Sequence, residues 1–346
     1  MLFVGAHALP LVSDTLCPMQ WIDGHLDLAY IQLLGRDLTA PCSDPDVGCI
    51  SLPELRDGGV ELTFATIFTE PTSDASHPQA AYGGIDDLDG AEAVCRRQLE
   101  VYRRLEIQGE LCLVRSRADL KAPAGRGPRI VLLMEGADPI RDPGQVATWF
   151  NDGLRMVGLT WAMGTRYAGG NHRLGPLTDL GIDLVNAMDD CGMIHDASHL
   201  SDEAFDGLMK VARGPVVATH SNCRALVGRS QRHLRDDQIM AIAARDGVVG
   251  LNLFSKFLVP SGRATIDDCV AHVQRVSELM GHRRGVALGS DMDGGFGPDS
   301  LPEHLDHPTK LDALADALTT AGWSSDEVNG FAHGNWQRFL EGTLPG

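Results

Sequence analysis

The chain has 346 residues, 47 of them acidic and 29 basic, for a formal charge of −18, and 43% of it is hydrophobic. That is apolar material enough for a large core, while so negative a balance excludes nonspecific nucleic-acid binding, which needs Lys and Arg to displace counterions. No run of about 18 apolar residues exists to span a membrane as a helix, and thirteen histidines in so acidic a chain raise the question of a metal site.

In chain order, residues 1–20 read as an N-terminal arm. The stretch 1–12 is apolar but broken by His7 and Pro10, and the first Arg is Arg36. It therefore lacks the positive region of a secretory signal. Short apolar runs then recur at 21–28, 60–68, 130–135, 156–161, 192–196, 215–220, 247–253 and 285–291. Most are rich in Val, Ile, Leu and Thr and bounded by Gly or Pro, as buried parallel strands are. Residues 70–90, rich in Pro, Ser, Asp and Gly, read as a long loop, and 122–128 as a short turn. Residues 91–106 carry apolar positions at helical spacing. The stretch 201–211 opens on Ser201 as an N-cap and sets Ala204, Phe205 and Leu208 on one face. Residues 236–245, 266–280 and 310–321 are similar.

Eight strands alternating with helices predict an α/β fold, a (β/α)8 TIM barrel. Length alone suggests about two domains, but such barrels use this much chain as one. The expectation is a single barrel domain over 1–346. An open doubly wound sheet is the alternative, weakened by the lack of G-x-G-x-x-G after the first strand. The eight cysteines form no C-x-x-C pair, and read as free, mostly buried thiols in a reducing, cytoplasmic compartment. No hydrophobic tail follows Leu340, which argues against a lipid anchor.

Metal-competent residues stand where the apolar runs end: His25 and Asp27, Glu135, Asp196 and His199, His220, and Asp291. In a barrel these ends converge on one mouth, where active sites are built. Residues i and i+2 of a strand point to one side, so His25 and Asp27 can hold one ion. His199 and His220 enter from neighbouring strands, and imidazole suits zinc and related metals. Glu135 has two oxygens and can bridge two ions. Two ions roughly 3.5–4 Å apart share a hydroxide and polarise a carbonyl or phosphoryl oxygen. Asp291 can then orient and deprotonate the attacking water. His195 lies within an apolar run and reads as a non-ligand. His7, His77, His282, His304 and His307 read as solvated.

The ordered set Ile22-Asp23-Gly24-His25-Leu26-Asp27-Leu28, Glu135-Gly136, Asp196-Ala197-Ser198-His199-Leu200-Ser201, Thr219-His220-Ser221-Asn222, Gly289-Ser290-Asp291-Met292-Asp293-Gly294 and Gly334-Asn335-Trp336-Gln337-Arg338 resembles the membrane (renal) dipeptidase family of metallopeptidases, peptidase family M19. The resemblance runs from about Trp21 to Leu340. It implies two Zn2+ ions, or another divalent metal. His25 and Asp27 would hold one, His199 and His220 the other, with Glu135 bridging. It implies hydrolysis of small dipeptides, often with a D-residue on the carboxyl side, and a proton-handling role for Asp291. Arg232 matches the arginine that pairs with the substrate's terminal carboxylate, a task that suits a forked guanidinium; a surface ion pair is its bland alternative. The family often forms homodimers, and nothing in the sequence locates an interface.

One position departs. Many members place a histidine after the Leu-Thr pair that ends the fourth strand, where it helps bind the substrate carbonyl. Here Leu159-Thr160 is followed by Trp161. An indole N–H donates a hydrogen bond but, unlike imidazole, cannot take up a proton or carry a charge. His172 or Arg166, in the following loop, is the expected substitute. The departure keeps open a metal-dependent amidohydrolase acting on N-acyl amino acids, β-lactams or another small amide. A catalytically inactive metal-binding module is the alternative of a different class.

Overall fold

The computed structural model describes residues 19–45, 47–71, 78–122 and 125–346. The predicted N-terminal arm, apart from residues 19 and 20, lies outside the described residues, as do His7, Cys17 and His77. Eight parallel strands form the core. They are β1 (Trp21–Leu26), β2 (Val60–Phe68), β3 (Arg129–Glu135), β4 (Leu154–Gly158), β5 (Ile194–Asp196), β6 (Val216–Val217), β7 (Val249–Leu251) and β8 (Val286–Leu288). Each lies in one of the predicted runs or overlaps it. Their order is β7-β8-β1-β2-β3-β4-β5-β6, and a parallel bridge between Ala218 and Val249 joins the last to the first. The sheet thus curls into a nearly closed (β/α)8 barrel, and the open-sheet alternative falls.

Period-2 alternation explains the layering. Leu62, Phe64, Val131, Leu133, Met156 and Ile194 belong to one interior cluster, with Trp336 among them. Their neighbours Ala65, Ile67, Ile130, Leu132 and Met134 pack outward with the helices. Both faces are buried, which is why the strands read as continuous apolar runs. Trp336, on helix Asn335–Thr343, is fully buried against Phe64 and donates its indole N–H to the Leu288 carbonyl at 2.7 Å. Trp336→Ala is expected to lower the unfolding free energy by about 3–5 kcal/mol, read from the urea midpoint at unchanged slope.

The predicted helices appear as Leu88–Ile107, Asp202–Val211, Asp236–Ala243, Ile266–Met280 and Asp312–Thr320. Ser201 caps the second by accepting the Ala204 N–H. The helix Asp179–Cys191, capped by Thr178 and closed by Gly192 at φ 72°, was not anticipated. The described parts of the 70–90 stretch, residues 70–71 and 78–90, carry regular structure. Glu70–Pro71 pairs with Ala81–Tyr82, and Asp87 caps a helix that already starts at Leu88. Among the described residues no helix is long and apolar enough to cross a membrane.

Two glycines, Gly250 in β7 and Gly289 just after β8, allow close backbone packing beneath the mouth. A Cβ at Gly250 or Gly289 would sit 1.9 Å from the Thr219 carbonyl oxygen. Only glycine lets β7 and β8 approach the backbone that carries His220 so closely.

Candidate metal centre

All six metal and base candidates meet at the C-terminal mouth of the barrel. His25 lies in β1 and Asp27 just beyond it; Glu135 ends β3; His199, His220 and Asp291 follow β5, β6 and β8. All are buried. Glu135 is the hub. Its Oε1 lies 3.0 Å from His199 Nε2 and 3.4 Å from His220 Nε2, and its Oε2 lies 3.6 Å from His25 Nε2. His25 Nε2 is also 3.8 Å from Asp27 Oδ1. His25, Asp27 and Asp291 offer a second set of converging ligand atoms. The His25 and His220 rings stack with centroids 3.6 Å apart.

Hydrogen bonds fix which imidazole nitrogens face inward. The Thr219 hydroxyl donates to Asp196 Oδ2 at 2.6 Å, so it can only accept from His220 Nδ1, 2.9 Å away. His199 Nδ1 donates to the side-chain oxygen Oδ1 of Asn171 at 2.8 Å. Both Nε2 atoms therefore carry lone pairs. These lie 3.0 Å from one another and face a carboxylate oxygen that has no hydrogen-bond partner among the described residues. Lone pairs and a carboxylate repel unless a cation lies among them. The donor set, neutral imidazole nitrogens and carboxylate oxygens, is one that zinc and related metals take.

The electrostatics agree. Burial holds His199 and His220 well below the usual imidazole range, and takes His25 down to about 3. Burial, with Asp27 next in effect, pushes Glu135 and Asp291 far up. Asp27 itself rises to about 6 through burial, although Thr66 donates to it. His199 and Asp291 stand at φ 65° and 59°, left-handed backbone that costs a non-glycine residue roughly 1–2 kcal/mol. Asp196 and Asp23 tie adjacent strand ends. Asp196 accepts the Ser198 and Thr219 N–H groups, and Asp23 those of His25 and Ser290.

The remaining candidates divide. Arg232 is 3% exposed, so the surface-pair alternative is wrong. Its guanidinium donates to Ser221 Oγ at 3.1 Å and to the His220 carbonyl at 2.7 Å, and lies 4.9 Å from the Phe257 ring centre. Its Nε has no partner among the described residues. Trp161 lines the mouth, its ring 6.2 Å from His199 and 5.3 Å from Phe68. The two residues expected to substitute for the missing histidine are placed differently. Arg166 donates to the Ile140 and Arg141 carbonyls, and His172 is exposed. His195 is no ligand: its Nε2 lies 2.7 Å from Asp189 Oδ1. Of the histidines read as solvated, His304 is exposed, while His282 and His307 are half-buried.

Sequence reasoning missed Asn171 and Thr219, which orient two imidazoles, and Asn252, which donates to Asp291 Oδ2 at 2.8 Å. Thr219 adjoins His220, a signal that was available; Asn171 and Asn252 reach their partners only across the fold.

A parallel barrel with carboxylates and neutral imidazoles converging at its C-terminal mouth defines the class of metal-dependent hydrolases. Within that class, the chain belongs to the membrane dipeptidase family, peptidase family M19, which it matches over residues 12–343. It is 32% identical to an uncharacterized protein encoded in the pqqA 5′ region of Klebsiella pneumoniae, over 71% of this chain and 94% of that one. It is 29% identical to dipeptidase aclJ of Aspergillus oryzae, over 97% and 81%. A metallo peptidase from Rhodobacter sphaeroides, solved with a phosphinate mimic of the dipeptide L-Ala-D-Ala, superposes with a TM-score of 0.80 at 25% identity, over 94% of this chain and all of that one. Family and donor set together make this chain a metal-dependent dipeptidase.

Proposed function

We propose that the chain hydrolyses small dipeptides, including those with a D-residue on the carboxyl side, with two zinc ions at the barrel mouth. His25 and Asp27 would hold one ion, His199 and His220 the other, and Glu135 would bridge them. One observation carries this reading. The two oxygens of Glu135 address different histidines, Oε1 facing His199 and His220 and Oε2 facing His25. When bound, the ions supply Lewis-acid polarisation of the scissile carbonyl and activation of water. The chain's own residues do the rest. A carboxylate oxygen of Asp291 takes the proton of the attacking water and returns it to the leaving nitrogen. Arg232, buried and with no carboxylate hydrogen-bonded to it among the described residues, takes the substrate's terminal carboxylate. The mimic bound by the Rhodobacter relative supports a D-residue on that side.

The proposal extends to one barrel domain over residues 1–346, in the cytoplasm. The seven described cysteines stand as free thiols, in keeping with a reducing compartment. The test is turnover by zinc-loaded protein of L,L- and L,D-dipeptides beside N-acyl amino acids, with the zinc content measured in parallel. Dipeptide turnover with about two zinc ions per chain is expected. Turnover of acyl amino acids alone would replace the substrate class, and dipeptide binding without turnover over hours would replace the enzyme by a binding module.

A further inference from the structure

The mouth has two aromatic walls, on opposite halves of the strand circuit. Trp161, beyond β4, packs edge-on to Phe68 at the end of β2, with centroids 5.3 Å apart. Phe68 packs in turn on Tyr30, just after β1, at 5.4 Å. Across the centre, Phe254 after β7 stacks on Phe296 after β8 at 4.3 Å, and Phe257 lies beside Arg232. The histidines and Glu135 lie between the walls. Trp161 is only partly buried, and its ring lies 6.2 Å from that of His199. An indole offers a ligand a flat apolar surface and one N–H donor, and no charge.

In an extended dipeptide of two L-residues, the form used in the test below, consecutive side chains point to opposite sides. With the carboxylate held at Arg232, the carboxyl-side residue lies towards Phe254 and Phe257. The amino-side residue is then directed to Trp161 and Phe68. We infer that Trp161 is a specificity-determining residue, selecting dipeptides with a large apolar or aromatic N-terminal side chain. This rests on the dipeptidase reading proposed above.

The test compares kcat/KM for Phe-Ala and Gly-Ala, which vary the N-terminal residue, and for Ala-Phe and Ala-Gly, which vary the other. Wild-type protein is expected to favour Phe-Ala over Gly-Ala by about tenfold or more, the scale on which an apolar pocket discriminates. Trp161→Ala is expected to remove most of that ratio, while the Ala-Phe to Ala-Gly ratio moves less than about twofold. Trp161→Phe is expected to retain most of it, which separates lost contact from damaged folding. A wild-type preference for Gly-Ala overturns the inference without any variant. So does a Trp161→Ala protein in which both ratios fall together or neither changes. Absence of turnover on all four dipeptides overturns the dipeptidase reading instead.

Discussion

Asp291→Asn is expected to lower kcat on a dipeptide by about 10²–10⁴-fold and to leave the zinc content where it was. The substitution is conservative everywhere except at the proton. Asp291 stands at φ 59°, a left-handed conformation that asparagine tolerates about as well as aspartate. Its backbone N–H donates to the His25 carbonyl at 3.2 Å, a bond indifferent to the side chain. Its Oδ2 accepts from Asn252 at 2.8 Å, and an amide oxygen accepts the same bond. What disappears is a carboxylate whose proton affinity burial and Asp27 have raised. A group that takes and returns a proton needs that affinity, and an amide has none. Single-turnover kinetics beside metal analysis reads both quantities. Full activity in this variant would remove Asp291 from the proposed role.

Glu135→Gln is expected to reverse sign with metal. In the zinc-loaded state the variant should melt below the parent, hold one zinc ion or fewer of about two, and lose at least about 10²-fold in hydrolysis. Glu135 alone among the candidate ligands comes within 3.6 Å of all three histidines. Metal bound to the native state adds stability by mass action, about 4 kcal/mol at a thousandfold excess over Kd, and a neutral amide forfeits most of it. In the metal-free state the variant should melt above the parent. There the parent keeps an ionisable acid whose charge is disfavoured by burial first, then by Asp27 and Asp291. The amide keeps the shape and cannot ionise, so it escapes the cost of burying an acid there. Thermal melts of both proteins, with excess zinc and with chelator, give the four values. The same order of melting in both conditions would mean that Glu135 holds no cation.

The barrel was legible because its information is local. A buried parallel strand must be apolar on both faces, so β2 and β3 announce themselves as runs. Parity does not carry to Asp27, which stands beyond β1 at ψ 46° after a register break between Asp23 and Leu26, and only the structure brings it within 3.8 Å of His25 Nε2. Helix 179–191 was harder to see. Yet its signals are of the same local kind: Leu184, Val185 and Met188 share the buried face, Asp179, Asp183 and Asp190 are exposed, and Thr178 and Gly192 close its ends.

The sequence by itself determined the order of the strands and the chemistry at each strand end, because alternation, caps and residue type act within a few positions. The tertiary structure alone decided which groups meet. Ring closure brings Glu135 to histidines from β1, β5 and β6, and aims lone pairs of His199 and His220 at the same oxygen. It buries Arg232 under the centre, where composition allowed a surface pair. It turns Arg166 away and brings Asn171 to His199. These encounters depend on the curvature and closure of the sheet, which no local pattern encodes.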